Sequence, residues 1–338
     1  MLSAVILISA PMKLFAFLAL LLGLPFAAAA KPLTIGYSDW PGWIAWDIAL
    51  QKKWFEEEGV EVSFKWMDYV ASMDAYAGGE LDAVCMTNGD ALVTGATGKR
   101  STAILLNDFS FGNDMVVGAP GISNLEDLVG ESVALEEGFV PHLLFLEGLK
   151  ERNIDPATIK IVNTPTDKVA DLLKAGAVKA VAAWQPNSGD ALRAVPGAQE
   201  IFSSADAPGI IFDGLFVDRD SLKANQEDWQ KVTKVWYRVV EFIKDEANQE
   251  QVLEILSRRA GLSPTEYEPL LEGTYILSLK EALRCWGKRN SLSSIYGSTG
   301  YVNRFNVENG VYKEPEKVSD YFDPTFTFQL EQAKRASK

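Results

Sequence analysis

The sequence predicts an α/β protein of two lobes, each a mostly parallel sheet flanked by helices, the two joined by a two-strand hinge. Three observations predict it. The chain has 338 residues, and the roughly 300 that follow an apolar leader are long for one hydrophobic core and natural for two. Short apolar strands alternate with helical stretches, which is the pattern of a sheet covered on both faces. Two extended runs, Met115–Gly118 and Ile210–Val217, flank a self-contained set of strands and helices, as an outward and a return crossing would. Lobe 1 then takes residues 31–115 and 216–338, lobe 2 takes residues 116–215, and residues 1–30 form the leader.

In the leader, the apolar run Leu14–Leu24 follows Lys13 and precedes Ala27–Ala30, giving a positive end, an apolar core and a small-residue cleavage site. Met12 makes the natural start. The run is about half of the roughly 20 residues a membrane span needs, so a cleaved secretory signal peptide is expected. No Cys follows it to carry a lipid, so the mature protein is expected to be exported and soluble.

Leu33–Tyr37 reads as the first strand, and a helix from about Trp43 to Glu58 stops at Gly59, a common helix terminator. Val60–Trp66 alternates apolar and polar residues as a half-buried strand does. A helix over Ser72–Ala77, a buried strand over Leu81–Met86 and a strand over Ala103–Asn107 continue the alternation. In the second lobe the expected order is a helix from Asn124 to Leu128, strand Ser132–Leu135, helix 141–152, strand Ile159–Val162, helix 167–175 and strand Ala180–Trp184. Beyond Asp220 the chain turns helical. Trp229, Val232, Val235, Trp236, Val239, Val240 and Ile243 form a core-facing stripe, and further helices fit Gln249–Ala260, Pro264–Leu271, 279–285 and 300–309.

The formal net charge is −14, and one unit more negative once Lys13 leaves with the leader. An acidic chain without a Lys/Arg-rich stretch excludes a nucleic-acid partner. Cys85 and Cys285 are the only cysteines. They could pair in an oxidising compartment, but Cys85 sits in an apolar strand where a buried thiol is the simpler expectation. His142 is the only histidine and lies near a helix start. No Cys/His metal spacing, glycine-rich phosphate loop or nucleophile elbow is present, so neither catalysis nor a cofactor is expected.

The chemistry gathers in the segments that follow strands, where open α/β sheets hold their ligands. They are Ser38-Asp39-Trp40-Pro41-Gly42-Trp43, Thr87-Asn88-Gly89-Asp90, Asn107-Asp108-Phe109-Ser110, Glu136-Glu137-Gly138-Phe139 and Trp184-Gln185-Pro186-Asn187. Asp213 joins them from the expected return strand. None contains Lys or Arg, whereas an anion is normally met by a guanidinium, an ammonium or free helix N-termini. Indole faces beside carboxylates suit a small planar cation, each desolvated contact contributing roughly 2 kcal/mol. Plainer roles stay open for each residue: Asp39 and Asp90 as helix caps, Trp40 and Trp43 as packing at the lobe rim, Glu136 and Glu137 as acids favoured at a helix start.

Several segments carry a family resemblance. Ile35-Gly36-Tyr37-Ser38, the run Trp54–Val62, Gly79-Glu80-Leu81-Asp82-Ala83 and Leu125–Val133 resemble the periplasmic substrate-binding proteins of ABC importers in the nitrate, sulfonate, taurine and thiamine-precursor group. Within it, Gly36–Trp46 and Met86–Leu92 look like the branch associated with urea carboxylase regions, which is linked to urea or related nitrogen compounds. Guanidine is the cation among these. The resemblance implies a two-lobed periplasmic binding fold, a monomer that delivers a small molecule to an ABC transporter permease, and no enzyme activity. The acidic loops depart from the anion-binding members and favour guanidine over neutral urea or an amide. Ser38, Asp39, Trp40, Trp43, Asn88, Asp90, Asp108, Glu136, Glu137, Trp184, Gln185 and Asp213 are the expected ligand residues. The rival from another class is an enzyme like the thiamine-pyrimidine synthases, which use reactive His and Cys clusters that this sequence lacks. A sensory protein presenting its ligand to a membrane receptor would use the same cleft.

Overall fold

The computed structural model describes residues 31–336; the expected signal peptide and its cleavage site lie outside them. Among the described residues, eleven strands form two sheets. They are β1 (Leu33–Tyr37), β2 (Val62–Trp66), β3 (Ala83–Thr87), β4 (Ser101–Ser110), β5 (Asp114–Gly118), β6 (Ser132–Leu135), β7 (Lys160–Asn163), β8 (Ala180–Trp184), β9 (Gln199–Ser203), β10 (Phe212–Asp218) and β11 (Thr274–Ile276). The first sheet runs β11-β4-β10-β3-β1-β2 and the second β7-β6-β8-β5-β9.

Each sheet is parallel where βαβ units build it and antiparallel around a strand that turns back. In the first, β1 pairs parallel with β2 and β3, while β10 lies antiparallel between β3 and β4. In the second, β6 pairs parallel with β7 and β8, while β5 lies antiparallel between β8 and β9. Both β5 and β10 are therefore central strands of a single sheet, although their apolar runs were expected to carry the chain between lobes. The reason is physical: a strand covered on both faces needs a continuous apolar run, whereas the crossings at 111–113 and 204–211 are rich in Gly, Asn, Ser and Asp. There Ser110 and Ser204 share a hydrogen bond of 2.7 Å, and Gly112 N donates to Ser204 Oγ at 2.7 Å, tying one crossing to the other.

The helix expected from Trp43 to Glu58 is three short pieces, Pro41–Ile44, Trp46–Gln51 and Trp54–Glu57. Lys53 at φ 58° breaks it, a left-handed conformation a continuous helix cannot include. The turn keeps Trp46 in the core, where its ring lies 4.7 Å from that of Trp236. The long stripe from Trp229 to Ile243 is buried as its spacing predicts, on a helix spanning Gln226–Lys244. Helix Asn187–Ala194, β9, β11 and the C-terminal helix Thr325–Ala336 were not anticipated. Cys85 on β3 and Cys285 on helix Leu279–Cys285 are both buried free thiols. Among the described residues, no helix is long and apolar enough to cross a membrane.

Candidate functional site

The sheet ends of the two lobes face each other across an outer cleft and a small inner cavity. The cleft, about 480 Å³, includes Ser38, Asp39, Tyr69, Glu136, Glu137 and Trp184 in its lining. The inner cavity lies behind it, walled by Trp40, Trp43, Tyr69, Thr87, Asp114, Val140, Trp184, Ile211 and Asp213. It offers about 10 Å³ to a water-sized sphere, room for roughly one water. Neither lining contains Lys, Arg or His.

Each side chain reaches this place through local structure. Pro41 at the first helical position fixes the turn after β1 and turns Trp40 and Trp43 inward. Trp40 Nε1 donates to Asp108 Oδ1 at 3.0 Å. Gly42 permits that contact, since a Cβ there would lie 1.9 Å from Asp108 Oδ2. Asn107–Ser110, expected as a loop, is the end of β4, where pairing with β10 on one side and β11 on the other extends the strand to Ser110. That extension sets Asp108 opposite Asp213 on the neighbouring strand.

Thr87-Asn88-Gly89-Asp90, also expected as a loop, is the end of β3 and the first turn of a helix spanning Asn88–Ala96. Thr87 rather than Asp90 caps it, its hydroxyl accepting from Asp90 N at 3.0 Å. Asp90 is thereby free to accept from Tyr69 OH at 2.7 Å, while Tyr69 OH accepts from Thr87 N at 3.0 Å. Asn88 turns elsewhere, donating to Ser298 and Thr299 and accepting from Phe212 N, all at 3.0 Å. Those bonds tie the helix to the C-terminal part of the first lobe.

Asp39 joins the lobes. Its carboxylate accepts from Trp184 Nε1 at 2.9 Å and from Asn187 Nδ2 at 2.7 Å, both donors coming from the second lobe. The Trp184 and Tyr69 rings meet edge-on at 5.3 Å, and Tyr69 meets Trp43 at 5.2 Å, so an aromatic chain crosses the cleft. Glu136 accepts from Thr166 N at 2.9 Å while its Oε2 is buried without a donor. Glu137 is exposed at the rim, and its backbone N donates to Asn163 Oδ1 at 3.1 Å. Gln185 lines neither space; its Oε1 is buried against Gly189. His142 Nδ1 accepts from Gly138 N at 3.0 Å, bracing the turn before its helix.

Asp114 and Tyr69 are the members that sequence reasoning missed. Asp114 stands immediately before the apolar run Met115–Val117, and a carboxylate at the head of a buried strand was the available signal. Burial dominates the electrostatics of the group. It pushes Asp90 up to about 6, Asp108 and Asp114 up to about 7, and Glu136 up to about 7. Asp39 is raised by the same cause against the pull of its indole and amide donors, and Asp213 stands well above the usual carboxylate range, with Asp108 and Asp114 adding to burial. Among the described residues, no group of three or more His, Cys, Asp or Glu could hold a metal ion. A desolvated set of carboxylates walled by indoles, with no basic neighbour, can accept N–H bonds and balance positive charge.

The model of the NMT1-like family matches residues 27–257. Similar solved structures include the periplasmic aliphatic sulphonate binding protein SsuA from Escherichia coli, 17% identical, with 88% of this chain and 99% of that chain covered at a TM-score of 0.71. The periplasmic nitrate-binding protein NrtA from Synechocystis PCC 6803 is 10% identical, with 89% and 88% covered and a TM-score of 0.70. The desulfurization enzyme DSZB is 11% identical, with 89% and 99% covered and a TM-score of 0.63. The shared fold is that of two-lobed periplasmic binding proteins. No curated protein matches the sequence.

Proposed function

The chain belongs to the NMT1-like family, and from that premise we propose that it is the periplasmic solute-binding component of an ABC importer, taking a small, flat nitrogen compound that carries positive charge. Guanidine is the favoured ligand. The observation that carries this reading is the cavity wall: Asp114 comes from one sheet and Asp213 from the other, with Trp40, Trp43 and Trp184 around them and no basic side chain among the lining residues. Once the lobes part enough to enlarge this small cavity, a planar cation between the two carboxylates would offer N–H donors to both lobes at once, and its faces would lie against the indoles. Such a ligand draws the lobes together because each lobe supplies part of its counter-charge. Closure is then the feature a membrane permease reads.

The structures named for sulphonate and nitrate share the fold, which leaves the ligand to the side chains at the cleft. An anion here would sit among carboxylates without a guanidinium or ammonium to meet it. A neutral second reading, urea or an amide, draws on one observation. Asp108 and Asp114, pushed up to about 7, are partly protonated near neutral pH and can then donate to a carbonyl as well as accept from an amide.

Titration calorimetry of refolded, ligand-free protein at pH 8 with guanidinium, urea, nitrate and taurine tests the proposal. Guanidinium is expected to bind and the anions not. Tight nitrate or taurine binding would overturn the cationic reading, and tight urea binding without guanidinium binding would favour the neutral one.

A further inference from the structure

Asp108 and Asp213 are register partners on the antiparallel strands β4 and β10. Side chains at directly opposed positions share one face of the sheet, with Cβ atoms about 5 Å apart. Both residues are buried, 0% and 2% exposed. Asp108 Oδ1 is held by the Trp40 indole, but Asp108 Oδ2 and Asp213 Oδ2 are buried without a donor from the protein. The two groups are close enough to hydrogen-bond to each other once one of them is protonated. Two carboxylates facing each other out of water cannot both ionise, so one proton serves the pair.

The surroundings offer that pair no alternative counter-charge. Facing it are Cys85 from β3, Tyr69 and Asp90 from the helices beside it, Asp114 from the second sheet and Tyr267 from helix Pro264–Glu272. All are neutral or acidic.

We infer that in the ligand-free protein Asp108 and Asp213 share one proton, and that a bound cation takes its place, so that each cation captured releases a proton. This rests on the cationic reading of the cavity, which Asp213 lines directly. The balance is simple: the O–H bond between the carboxyl groups is broken, its proton leaves to solvent, and ligand N–H groups take up the oxygen that it occupied. Charge within the cavity is unchanged by the exchange. The direction of the shifts agrees, burial pushing Asp108 up to about 7 and holding Asp213 well above the usual carboxylate range. Capture is therefore tight in neutral surroundings and weakened by acid, and neutral urea, which displaces no proton, lacks that dependence.

The experiment is calorimetry with guanidinium at pH 6 and pH 8 in two buffers of different ionisation enthalpy. At pH 8 the enthalpies are expected to differ by an amount that corresponds to about one proton released, and at pH 6, where Asp108, raised to about 7, also holds a proton, by more. Affinity should rise by about tenfold or more per pH unit between pH 6 and pH 8. In Asp213→Asn and Asp108→Asn the release should fall and the pH dependence flatten, with circular dichroism and thermal unfolding confirming that each variant folds. Guanidinium binding to the parent protein with no proton released at pH 6 overturns the inference while leaving the cationic reading intact. Full release retained in both folded variants removes the proton from this pair. Absence of guanidinium binding at every pH sinks the cationic reading itself.

Discussion

Gly42→Ala is a substitution for which local and tertiary rules disagree in sign. Gly42 lies in the short helix Pro41–Ile44 and is not among the positive-φ glycines, so helix propensity and unfolded-state entropy predict a gain of about 0.4–1 kcal/mol from alanine. The added Cβ, however, would stand 1.9 Å from Asp108 Oδ2, 2.5 Å from its Cγ and 2.8 Å from Trp40 Nε1. A carbon–oxygen approach settles near about 3.3 Å, so the carboxylate must retreat by more than about 1 Å. The Trp40–Asp108 bond, now 3.0 Å, leaves hydrogen-bonding range beyond about 3.2 Å. Overpacking costs about 1–3 kcal/mol and a stranded buried donor about 1–3 kcal/mol, which outweighs the propensity gain. A net destabilisation of about 1–5 kcal/mol is expected, read as a lower urea midpoint with an unchanged slope. Because Asp108 belongs to the carboxylate cluster, guanidinium affinity should fall with it. A variant as stable as the parent or more so would refute the steric argument.

Other substitutions test the rest of the site. Tyr69→Phe removes a donor from Asp90 and an acceptor from Thr87 N, both buried, and should cost about 2–4 kcal/mol by chemical denaturation; a loss under about 0.5 kcal/mol would mean that other groups or water replace the hydroxyl. Asp39→Ala strips Trp184 Nε1 and Asn187 Nδ2 of their acceptor across the lobes. It should weaken guanidinium binding at least tenfold and enlarge the scattering radius of the ligand-saturated protein; unchanged values would deny Asp39 a part in closure. Stability of the ligand-free protein should fall as pH rises from about 5 to 8. Asp90, Asp108, Asp114 and Glu136 have folded-state pKa values raised to about 6–7, so the folded state binds more protons than the unfolded one, and that advantage is lost as pH climbs through these values. His142, lowered by burial, acts oppositely but is a single group, and Glu281, lowered to about 2, acts only below this window. A melting temperature that rises from pH 5 to 8 would contradict the sign.

What the sequence made legible followed periodicity and punctuation. The stripe from Trp229 to Ile243, the apolar strand Ala180–Trp184 and the stop at Gly59 carry their geometry in local pattern. The extension of β4 to Ser110 did not, because Asn107-Asp108-Phe109-Ser110 has loop composition and becomes strand only through β10 and β11. Asp114 escaped notice for a related reason: it sits at the start of an apolar run that looked like a crossing, and only the sheet order makes that run a central strand with its first residue at the cavity. Asn88 shows the opposite limit. Thr87 beside it lines the cavity, yet the amide of Asn88 is consumed by Ser298 and Thr299, 210 and 211 positions away, a distance no local pattern reports.

A binding role for the carboxylates and a structural one predict different hydrogen-bond partners. An acid retained to cap a helix is satisfied by the backbone it caps, as Asp218 is by Asp220 N and Ser221 N at 3.0 Å. Thr87 and not Asp90 caps the cavity helix, and the Trp40 turn has no side-chain cap. Asp108 and Asp213 each have a buried oxygen to which no other protein group donates, so the pair has only its own proton to match them, and an oxygen left unmatched costs about 1–3 kcal/mol or more. A fold that needed only shape would lose nothing by placing apolar residues there. The expense is explained if the matching donors arrive with a ligand, and the absence of Lys, Arg and His from the cavity wall requires that ligand to bring positive charge of its own or leave the protons in place. On the proposed reading the scaffold would fix where a small molecule is held, while Asp108, Asp114 and Asp213 would decide what it is.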